Sequence, residues 1–337
     1  MEVINEEGVC VVELRSAIQT EFSRLSTDLV GFWKTKTISS AVELKIFESL
    51  PAAVEKIALN CGLKLDLTKR LLRALGELNL LEYSRGVWSV TAKGAYLQQA
   101  HPMTLADAAI EYEQYLSPMW NGLSDAIRGN DKWHAPDIFN QVALDGERTL
   151  PHHRMLQSYA LHDYAPLPEV LNLDSITHLI DAGGGTGSLT KYLAQRYESL
   201  KISLFDLPEV IDHARNLIGI HEQIEFHGGD LFQPWGLHAD AVLLARVLHD
   251  WDDQAALAIL QRARSTLPIG GRIFIVEMLL LEDEMSGGLC DLHLLMATGG
   301  RERTLSGYRL LLESAGFYFH ESVKLNSLPT VLVGVAK

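Results

Sequence analysis

The sequence contains few cysteines and lacks an excess of positive charge. The three cysteines among its 337 residues, Cys10, Cys61 and Cys290, form no CxxC pair. Such sparse cysteine is typical of a protein from a reducing compartment and predicts no structural zinc site. The formal net charge of -14 argues against nucleic-acid binding, because a nucleic-acid footprint needs clustered lysines and arginines. We therefore expect no nucleic-acid partner.

Long apolar runs and a targeting signal are also missing. The apolar runs are far shorter than the ~18 to 20 residues of a membrane span. The first ten residues, MEVINEEGVC, lack the basic start and apolar centre of a signal peptide. The expectation is a cytoplasmic protein without a membrane partner. With 47% hydrophobic and 21% charged residues, the chain has the composition of a globular protein and is long enough for two domains.

Residues 12 to about 100 show helical periodicity that ends in a hairpin signal. The spacing of apolar residues predicts helices over 39–50, from Pro51 to Cys61, and over 66–81. Two short alternating runs then flank the tripeptide SRG at 84–86. Three helices followed by a hairpin are the order of a winged helix, a fold used for DNA binding or for dimerisation. The acidic net charge favours dimerisation.

The rest of the chain changes from helical to alternating patterns. Residues 101–170 are predicted to be helical and are rich in aromatic side chains, some of which are candidates for lining a pocket. From residue 177 onward, short apolar runs alternate with helical stretches; the runs are THLIDAGGG, KISLFD, QIEFHGGD, DAVLLARVL and RIFIVEM. This alternation predicts a doubly wound α/β fold, with a parallel sheet between two layers of helices. The last runs, GFYFHESVKL and TVLVGVA, predict an antiparallel pair at the sheet edge.

The first of these strands ends in the glycine-rich sequence DAGGGTG, residues 181–187. Closely spaced glycines allow a tight turn and a close approach to a ligand. The dinucleotide fingerprint G-x-G-x-x-G fails here, because its third glycine position meets Ser188 or Thr190, depending on the frame. The pattern present is an acid followed by alternate glycines: Asp181, Gly183, Gly185 and Gly187.

Two more acids follow the next two strands. Asp206 ends KISLFD, where a carboxylate can accept both hydroxyls of a ribose. Asp230 follows the third strand, beside the apolar Leu231 and Phe232, which suit an adenine. Each acid alone is also what a helix cap requires. In this order, at strand ends, they predict an adenosine site without a phosphate anchor.

The motifs DAGGGTG, FDLPEVI, GGDLF, ARVLHDWDD, IVEM and GGRERT resemble those of S-adenosylmethionine-dependent O-methyltransferases of the caffeate and hydroxyindole type. Bacterial members of that family modify secondary metabolites. The resemblance covers nearly the whole chain. It implies an N-terminal all-helical winged-helix dimerisation domain over 1–100, a helical linker region lining the substrate pocket over 101–170, and a class I methyltransferase domain, Rossmann-like, over 171–337. S-adenosylmethionine, a small aromatic acceptor and a second copy of the chain are the implied partners.

The resemblance also implies residues that contact the cofactor. Asp181, Gly183 and Gly185 would lie at its methionine part, and Asp206 at the ribose. The adenine would lie against Asp230 and Leu231. Arg246 matches an arginine that contacts the cofactor in the hydroxyindole branch. The plant branch has a lysine one position earlier, where this chain has Ala245, so the chain is closer to the hydroxyindole or bacterial branch.

The catalytic residues implied by the resemblance are His249, Glu277 and Glu302. A phenol has a pKa of about 10, so only about one molecule in a thousand is the phenolate at neutral pH. A histidine with a pKa of about 6.5 can remove that proton, an effect typically worth ~10²- to 10⁴-fold in rate. The two glutamates would orient the imidazole and stabilise its protonated form. No metal is predicted, and the acceptor would contact Met155, Asp250 and His293.

Other interpretations remain open from the sequence. His249 could be a strand cap, Glu302 part of a charged turn before the helix that Thr304 starts, and Met155 ordinary core. At the level of function, the chain could be an O-methyltransferase, a relative that uses the same fold for hydroxylation or a pericyclic step, or a winged-helix regulator that senses a metabolite. The three catalytic candidates favour the first function, and the acidic charge disfavours the last.

Overall fold

The computed structural model describes residues 2–4, 10–12, 17–129, 133–282, 284–325 and 329–337. The chain divides into two compact units, residues 1–101 and 102–337. The boundary lies one residue from the predicted end of the N-terminal domain. The helices that follow residue 101 belong to the same unit as the large sheet.

The N-terminal unit combines helices with two antiparallel hairpins. The predicted hairpin is present, and its turn has positive φ at Arg85 and Gly86, as a tight hairpin turn requires. A second hairpin lies near the N-terminus, so the description of this domain as all-helical is wrong. The elements are β1 (Glu2–Ile4), β2 (Cys10–Val12), α1 (Ala17–Leu29), α2 (Phe32–Glu43), α3 (Val54–Asn60), α4 (Leu65–Glu77), β3 (Leu81–Ser84) and β4 (Val87–Val90).

Two helix boundaries in this unit differ from the prediction. The helix expected over 39–50 is α2, which begins earlier and ends at Glu43, because Lys45 adopts a left-handed φ of 56° that breaks the helix. Ile46 and Phe47 after the break are still fully buried. The pattern of buried apolar residues therefore continues beyond the end of the helix. The next helix starts at Val54, three residues after the expected Pro51.

The C-terminal unit begins with a group of helices. These are α5 (Ala106–Glu111), α6 (Ser117–Met119), α7 (Leu123–Ile127), α8 (Ile138–Leu144), α9 (Thr149–Asp163) and α10 (Leu167–Val170). A π-helical turn, Tyr112–Leu116, connects α5 to α6. Arg148 at the start of α9 forms a buried ion pair with Glu111 of α5, which fixes the two helices to each other.

A seven-stranded sheet forms the centre of this unit, in the order β12-β13-β9-β8-β5-β6-β7. Strands β5 to β9 are parallel, and β13 and β12 add the predicted antiparallel edge. The elements are β5 (His178–Ala182), α11 (Ser188–Arg196), β6 (Lys201–Asp206), α12 (Pro208–Ile218), β7 (Ile224–Gly228), β8 (Ala241–Ala245), α13 (Asp253–Thr266), β9 (Arg272–Glu277), β10 (Leu279–Leu280), α14 (Gly288–Thr298), β11 (Arg303–Thr304), α15 (Leu305–Ser314), β12 (Phe317–Lys324) and β13 (Thr330–Ala336).

Apolar side chains cover both faces of the sheet. Leu179 and Leu243 point into one core, with residues of α11 and α12, and Ile180 and Val242 point into the other, with residues of α13 and α15. Adjacent strand residues alternate between the two faces, so each strand is apolar on both sides. The predicted doubly wound fold is confirmed. Among the described helices, none has the length and apolar character to cross a bilayer.

Candidate active site

The loop between β5 and α11 leaves room for a ligand at the carboxyl end of the sheet. Gly183 and Gly185 have φ values of 70° and 59°, which favour glycine. A Cβ on Gly183 would lie 2.7 Å from Val247, whereas a Cβ on Gly185 would have no atom within 4 Å. Gly185 therefore faces open space. Ligands of open α/β sheets bind at such strand ends, so the loop fits an adenosine-containing cofactor.

The two acids at the carboxyl ends of β5 and β6 have different surroundings. The Asp206 carboxylate accepts hydrogen bonds from the amides of Gly185 (2.8 Å) and Leu207 (2.7 Å), at the edge of the open space. Asp181 is fully buried beneath the loop, where the Thr190 hydroxyl donates to it (2.5 Å). Burial raises the pKa of Asp181 to about 6. Asp181 thus supports the loop from below.

Asp230 and Leu231 follow β7, at the same edge of the sheet. Asp230 is exposed, and its Oδ1 atom accepts the amide of Phe232 (2.9 Å). Leu231 is partly buried against the core. Their role at an adenine stays a prediction.

The loop that carries His249 follows β8. The strand ends at Ala245, Arg246 adopts a left-handed φ of 57°, and a 3-10 turn over Leu248–Asp250 leads to α13. Asp252 caps α13 by accepting the amide of Ala255 (2.8 Å). His249 therefore lies in a tight turn between a buried strand and a helix, and it is itself buried.

Glu277, the last residue of β9, holds this turn. Its Oε1 atom accepts the amides of Val247 (3.1 Å), Leu248 (2.9 Å) and His249 (3.3 Å). The Oε2 atom lies 3.9 Å from Nδ1 of His249. Burial raises the pKa of this carboxyl, which is completely enclosed. Glu277 therefore holds the backbone segment that carries His249 in place.

Glu302 reaches the same histidine from another part of the chain. Its Oε1 atom lies 3.6 Å from Nδ1 of His249 and 3.2 Å from Nη1 of Arg246. Burial opposes its ionisation, but the contacts with His249 and Arg246 lower the pKa of Glu302 below its usual value. Glu302 is buried, two residues before Thr304, which caps α15.

The net effect of these charges on His249 is a raised pKa. Burial alone would lower the pKa, but Asp250, Glu277 and Glu302 favour the protonated imidazole and outweigh it. The Oδ2 atom of Asp250 lies 3.6 Å from Nε2, on the side of the ring opposite to the glutamates. The imidazole can thus receive a proton at Nε2 while acids at both nitrogens stabilise the resulting charge.

Arg246 lies between the two glutamates. Its Nη1 atom is 3.2 Å from Glu302 and 3.6 Å from Glu277. The predicted contact of Arg246 with the cofactor stays a prediction. His249, Glu277 and Glu302 also offer ligand atoms close enough together for a metal ion. Because the guanidinium already supplies positive charge to both carboxylates, we assign no metal to this cluster.

Arg303 was not identified from the sequence, although it belongs to the quoted motif GGRERT. It donates to the carbonyl oxygens of Leu248 (2.9 Å) and Trp251 (2.7 Å), on either side of His249, and to Asp253 (2.9 Å). The side chain is buried. Arg303 therefore holds carbonyl groups of the turn, whereas Glu277 of β9 accepts its amides. An arginine flanking a catalytic candidate was the only sequence signal for it.

Aromatic side chains gather near His293 of α14. The His293 ring lies 6.0 Å from that of Tyr112 and 6.3 Å from that of Trp120, which is nearly parallel to it. Tyr112 and Tyr159 share a hydrogen bond. We call these four residues the ring cluster. Met155 is buried on α9, four residues before Tyr159 and hence on the same helix face.

Comparison with known proteins identifies the family. The model of the O-methyltransferase domain matches residues 120–318, and that of the O-methyltransferase dimerisation domain matches residues 28–100. The chain belongs to the O-methyltransferase family. This O-methyltransferase is 30% identical over 318 residues to acetylserotonin O-methyltransferase of Bos taurus, covering 88% of this chain and 92% of that protein. The predicted family is confirmed.

A bacterial relative and a solved structure agree with this assignment. The O-methyltransferase is 32% identical over 307 residues to 3-hydroxy-5-methyl-1-naphthoate 3-O-methyltransferase of Streptomyces sahachiroi, covering 87% of this chain and 88% of that one. The crystal structure of human N-acetylserotonin methyltransferase in complex with SAM matches with a TM-score of 0.87 and 28% identity, covering 97% of this chain and 99% of that one. The predicted class of fold is confirmed.

Proposed function

We propose that this O-methyltransferase transfers a methyl group from S-adenosylmethionine to a phenolic hydroxyl of a small aromatic secondary metabolite, with His249 as the general base. The observation that carries the proposal is the arrangement around the imidazole. Nδ1 faces two buried glutamates, and Nε2 lies beside Asp250. A buried histidine with acids at both nitrogens is suited to take up a proton.

S-adenosylmethionine is the cofactor, and when bound it supplies an electrophilic methyl group. The residues proposed to hold it are those at the carboxyl ends of β5, β6 and β7. Gly185 would let the cofactor approach the backbone of the loop, because no side chain stands in the way. Asp206 offers two carboxylate oxygens to a ribose. Asp230 offers a polar contact to an adenine, and Leu231 offers an apolar one. Oxygen and aliphatic contacts of this kind suit a nucleoside without phosphates.

His249 would act on the acceptor hydroxyl. Its Nε2 atom would take up the phenolic proton as the methyl group passes from the sulfonium sulfur to the oxygen, so positive charge would appear on the imidazole. The carboxylates of Asp250, Glu277 and Glu302 stabilise that charge, because they already favour the protonated form of the free histidine. Arg246 limits this stabilisation, because its guanidinium lies beside both glutamates and offsets part of their negative charge.

The relatives' names support an aromatic acceptor. One relative acts on acetylserotonin and another on a hydroxynaphthoate. In this chain, the ring cluster lies next to the 3-10 turn Leu248–Asp250, which we call the catalytic turn. His293 of the cluster interacts electrostatically with His249. Aromatic side chains are effective partners for the flat face of an aromatic acceptor. Met155 and Asp250 complete the proposed acceptor contacts.

A homodimer is the second part of the proposal. The dimerisation-domain match starts at residue 28, and α1 and α2 expose a group of large apolar side chains: Phe22, Leu25, Leu29, Phe32 and Trp33. A contiguous exposed apolar face of this kind is typical of an interface. Within α2, Val42 is buried, whereas Phe32 and Trp33 are exposed.

Mass spectrometry tests the reaction. The enzyme is incubated with S-adenosylmethionine and a panel of phenols, and a product heavier than the acceptor by one methylene is expected. The His249→Ala variant serves as the control, because it keeps the proposed cofactor site but lacks the base. If the enzyme binds the cofactor and changes an acceptor without adding a methylene, the alternative, a hydroxylase or pericyclase on the same fold, replaces the proposal.

A further inference from the structure

The first turn of α14 lies beside the segment that carries Glu302. The helix ends at Thr298, and Gly299, with a left-handed φ of 77°, reverses the direction of the chain. The helix between Asp291 and Gly299 is about 12 Å long, and an extended segment from Gly299 to Glu302 spans about 10 Å. Because the two lengths are similar, the reversal brings Glu302 back to the start of the helix.

Two side chains of that first turn hold Glu302. The Oδ1 atom of Asp291 accepts the backbone amide of Glu302 (2.8 Å). The thiol of Cys290 donates to Oε1 of the Glu302 carboxylate (3.6 Å). Asp291 thus fixes the backbone of Glu302, whereas Cys290 contacts the group that carries its charge.

The polar contacts of the Glu302 carboxylate meet at one oxygen. Besides the Cys290 thiol, Oε1 lies 3.2 Å from Nη1 of Arg246 and 3.6 Å from Nδ1 of His249. The Oε2 atom is buried and has no hydrogen-bond partner within the described parts of the chain. Arg246 and His249 both belong to the loop after β8, whereas Cys290 approaches from α14. Without the thiol, the carboxylate could turn towards the closer Arg246 and away from His249.

The Cys290 side chain is a protonated donor at neutral pH. It is half-buried, and burial together with the charge of Glu302 raises the pKa of the thiol. A thiolate would repel the carboxylate, but the raised pKa disfavours that form. The direction of the hydrogen bond is therefore fixed, from the sulfur to Oε1.

We propose that Cys290 is a positioning residue for methyl transfer, whose thiol holds the Glu302 carboxylate in the orientation that acts on Nδ1 of His249. This inference rests on the proposed function, because it concerns the base of the same reaction. Cys290 acts through Glu302 and needs no contact with the acceptor oxygen or the cofactor. Its effect should therefore appear in kcat and in the ionisation of the base, and not in the affinity for the cofactor.

Two replacements separate the hydrogen bond from the bulk of the side chain. Valine has nearly the volume of cysteine without a donor, and serine keeps a donor. Because S–H is a weak donor, we expect Cys290→Val to lower kcat by about threefold. The acidic limb of the kcat profile should move to lower pH, since the displaced carboxylate favours the protonated His249 less. Calorimetry with S-adenosylhomocysteine should give the wild-type affinity.

Cys290→Ser should behave like the wild type. Leu289→Val is the matched control on the same helix, because Leu289 precedes Cys290 and is 77% exposed. It should also keep the wild-type kcat and pH profile. If Cys290→Val keeps both as well, or if Cys290→Ser loses as much as Cys290→Val, the hydrogen bond does not position Glu302 and the inference is wrong.

A double-mutant cycle tests whether Cys290 acts through Glu302. In the Glu302→Gln background there is no carboxylate charge to position, so adding Cys290→Val should change kcat by less than about 1.5-fold. A merely structural role of the thiol would lower kcat by the same factor in both backgrounds. That outcome would overturn the inference.

Alkylation of the thiol tests the contact without any methyl transfer. The rate at which iodoacetamide modifies Cys290 is measured against pH by mass spectrometry of the peptide. Glu302→Gln removes the neighbouring charge, so the thiol should ionise at lower pH and react faster. Glu313→Gln, at an exposed position of α15, should leave the rate unchanged. An unchanged rate in Glu302→Gln would contradict the contact.

Comparison with His249→Gln separates this inference from the proposed function. If His249→Gln lowers kcat and Cys290→Val does not, the proposed base stands and the positioning role of Cys290 is refuted. If His249→Gln keeps the wild-type kcat when chemistry limits the rate, the base itself is refuted, and the role of Cys290 is refuted with it.

Discussion

The Oε1 atom of Glu302 lies 3.6 Å from Nδ1 of His249, closer than the Oε2 atom of Glu277, which is 3.9 Å away. The other oxygen of Glu277 accepts three backbone amides of the turn, including that of His249. The two glutamates therefore have different tasks. Glu302 acts mainly on the charge of the imidazole, and Glu277 acts mainly on the position of the backbone that carries it.

Glu302→Gln should change the pH dependence of the reaction. The acids around His249 raise its pKa, and below that pKa the histidine is protonated and cannot act as a base. Removing the charge of Glu302 lowers the pKa, so the acidic limb of the kcat profile should move to lower pH. The plateau should fall about tenfold, because the protonated imidazole is less stabilised.

The measurement is kcat against pH with saturating cofactor and acceptor. Glu313→Gln on α15 is a suitable control, since Glu313 is exposed and lies outside the catalytic turn. Its profile should match that of the wild type. An acidic limb that stays in place in Glu302→Gln would show that Glu302 does not set the pKa of the base.

Glu277→Ala should reduce stability more than Glu302→Ala does. It removes the acceptor of three buried backbone amides, and leaving buried groups unsatisfied costs about 1–3 kcal/mol each. Glu302→Ala leaves Arg246 paired with Glu277 and removes no backbone contact of the turn. Urea unfolding of the two variants measures the difference, which we expect to be about 3 kcal/mol. Equal losses would contradict the division of tasks.

The sequence allowed prediction of the parts of this site that follow from local patterns. Asp206 is the last residue of β6, and His249 follows the end of β8 by four residues. Both strands have a clear apolar run, and the carboxyl ends of parallel strands meet at one edge. The alternation of strands and helices from residue 177 onward likewise predicted the sheet and its antiparallel edge. These features depend on residues that are close together in the chain.

The contacts of Glu302 and Arg303 could not be predicted in this way. They depend on the pairing of β10 with β11, two-residue strands that are 24 positions apart and carry no periodic signal. The helix break at Lys45 had no glycine or proline to mark it, and the π-helical turn at Tyr112 left the apolar spacing intact. Long-range pairing and single backbone angles were therefore the features that sequence patterns missed.

Asp206→Ala should weaken cofactor binding by tenfold or more. The substitution removes the proposed ribose contact and also the acceptor of the Gly185 amide, which shapes the glycine loop. Losing a charge-assisted hydrogen bond costs about 1.5 to 3 kcal/mol. Calorimetry with S-adenosylhomocysteine measures the affinity, and Asp212→Ala, an exposed position on α12, is the control. An affinity equal to that of the wild type would refute the ribose assignment.

Trp33→Glu should convert the proposed dimer into a monomer. Trp33 is 60% exposed and lies on α2 with Phe32, next to the exposed apolar side chains of α1. A buried, unpaired charge at an apolar interface is strongly unfavourable. Light scattering should give twice the monomer mass for the wild type and for Leu59→Glu, a change at an 80% exposed leucine of α3. A Trp33→Glu variant that remains dimeric would place the interface elsewhere.

His249→Gln should reduce kcat by about 10²-fold or more and leave cofactor affinity nearly unchanged. The backbone contacts of His249, with Glu277 and with the amide of Arg301, do not involve its side chain, so the turn should keep its shape. The loss should shrink as the pH approaches the pKa of the acceptor, because the phenolate then forms without a base. A more acidic acceptor, such as a nitrophenol, should be less sensitive for the same reason. Wild-type rates at neutral pH with an ordinary phenol, when chemistry limits the rate, would mean that His249 only caps the strand.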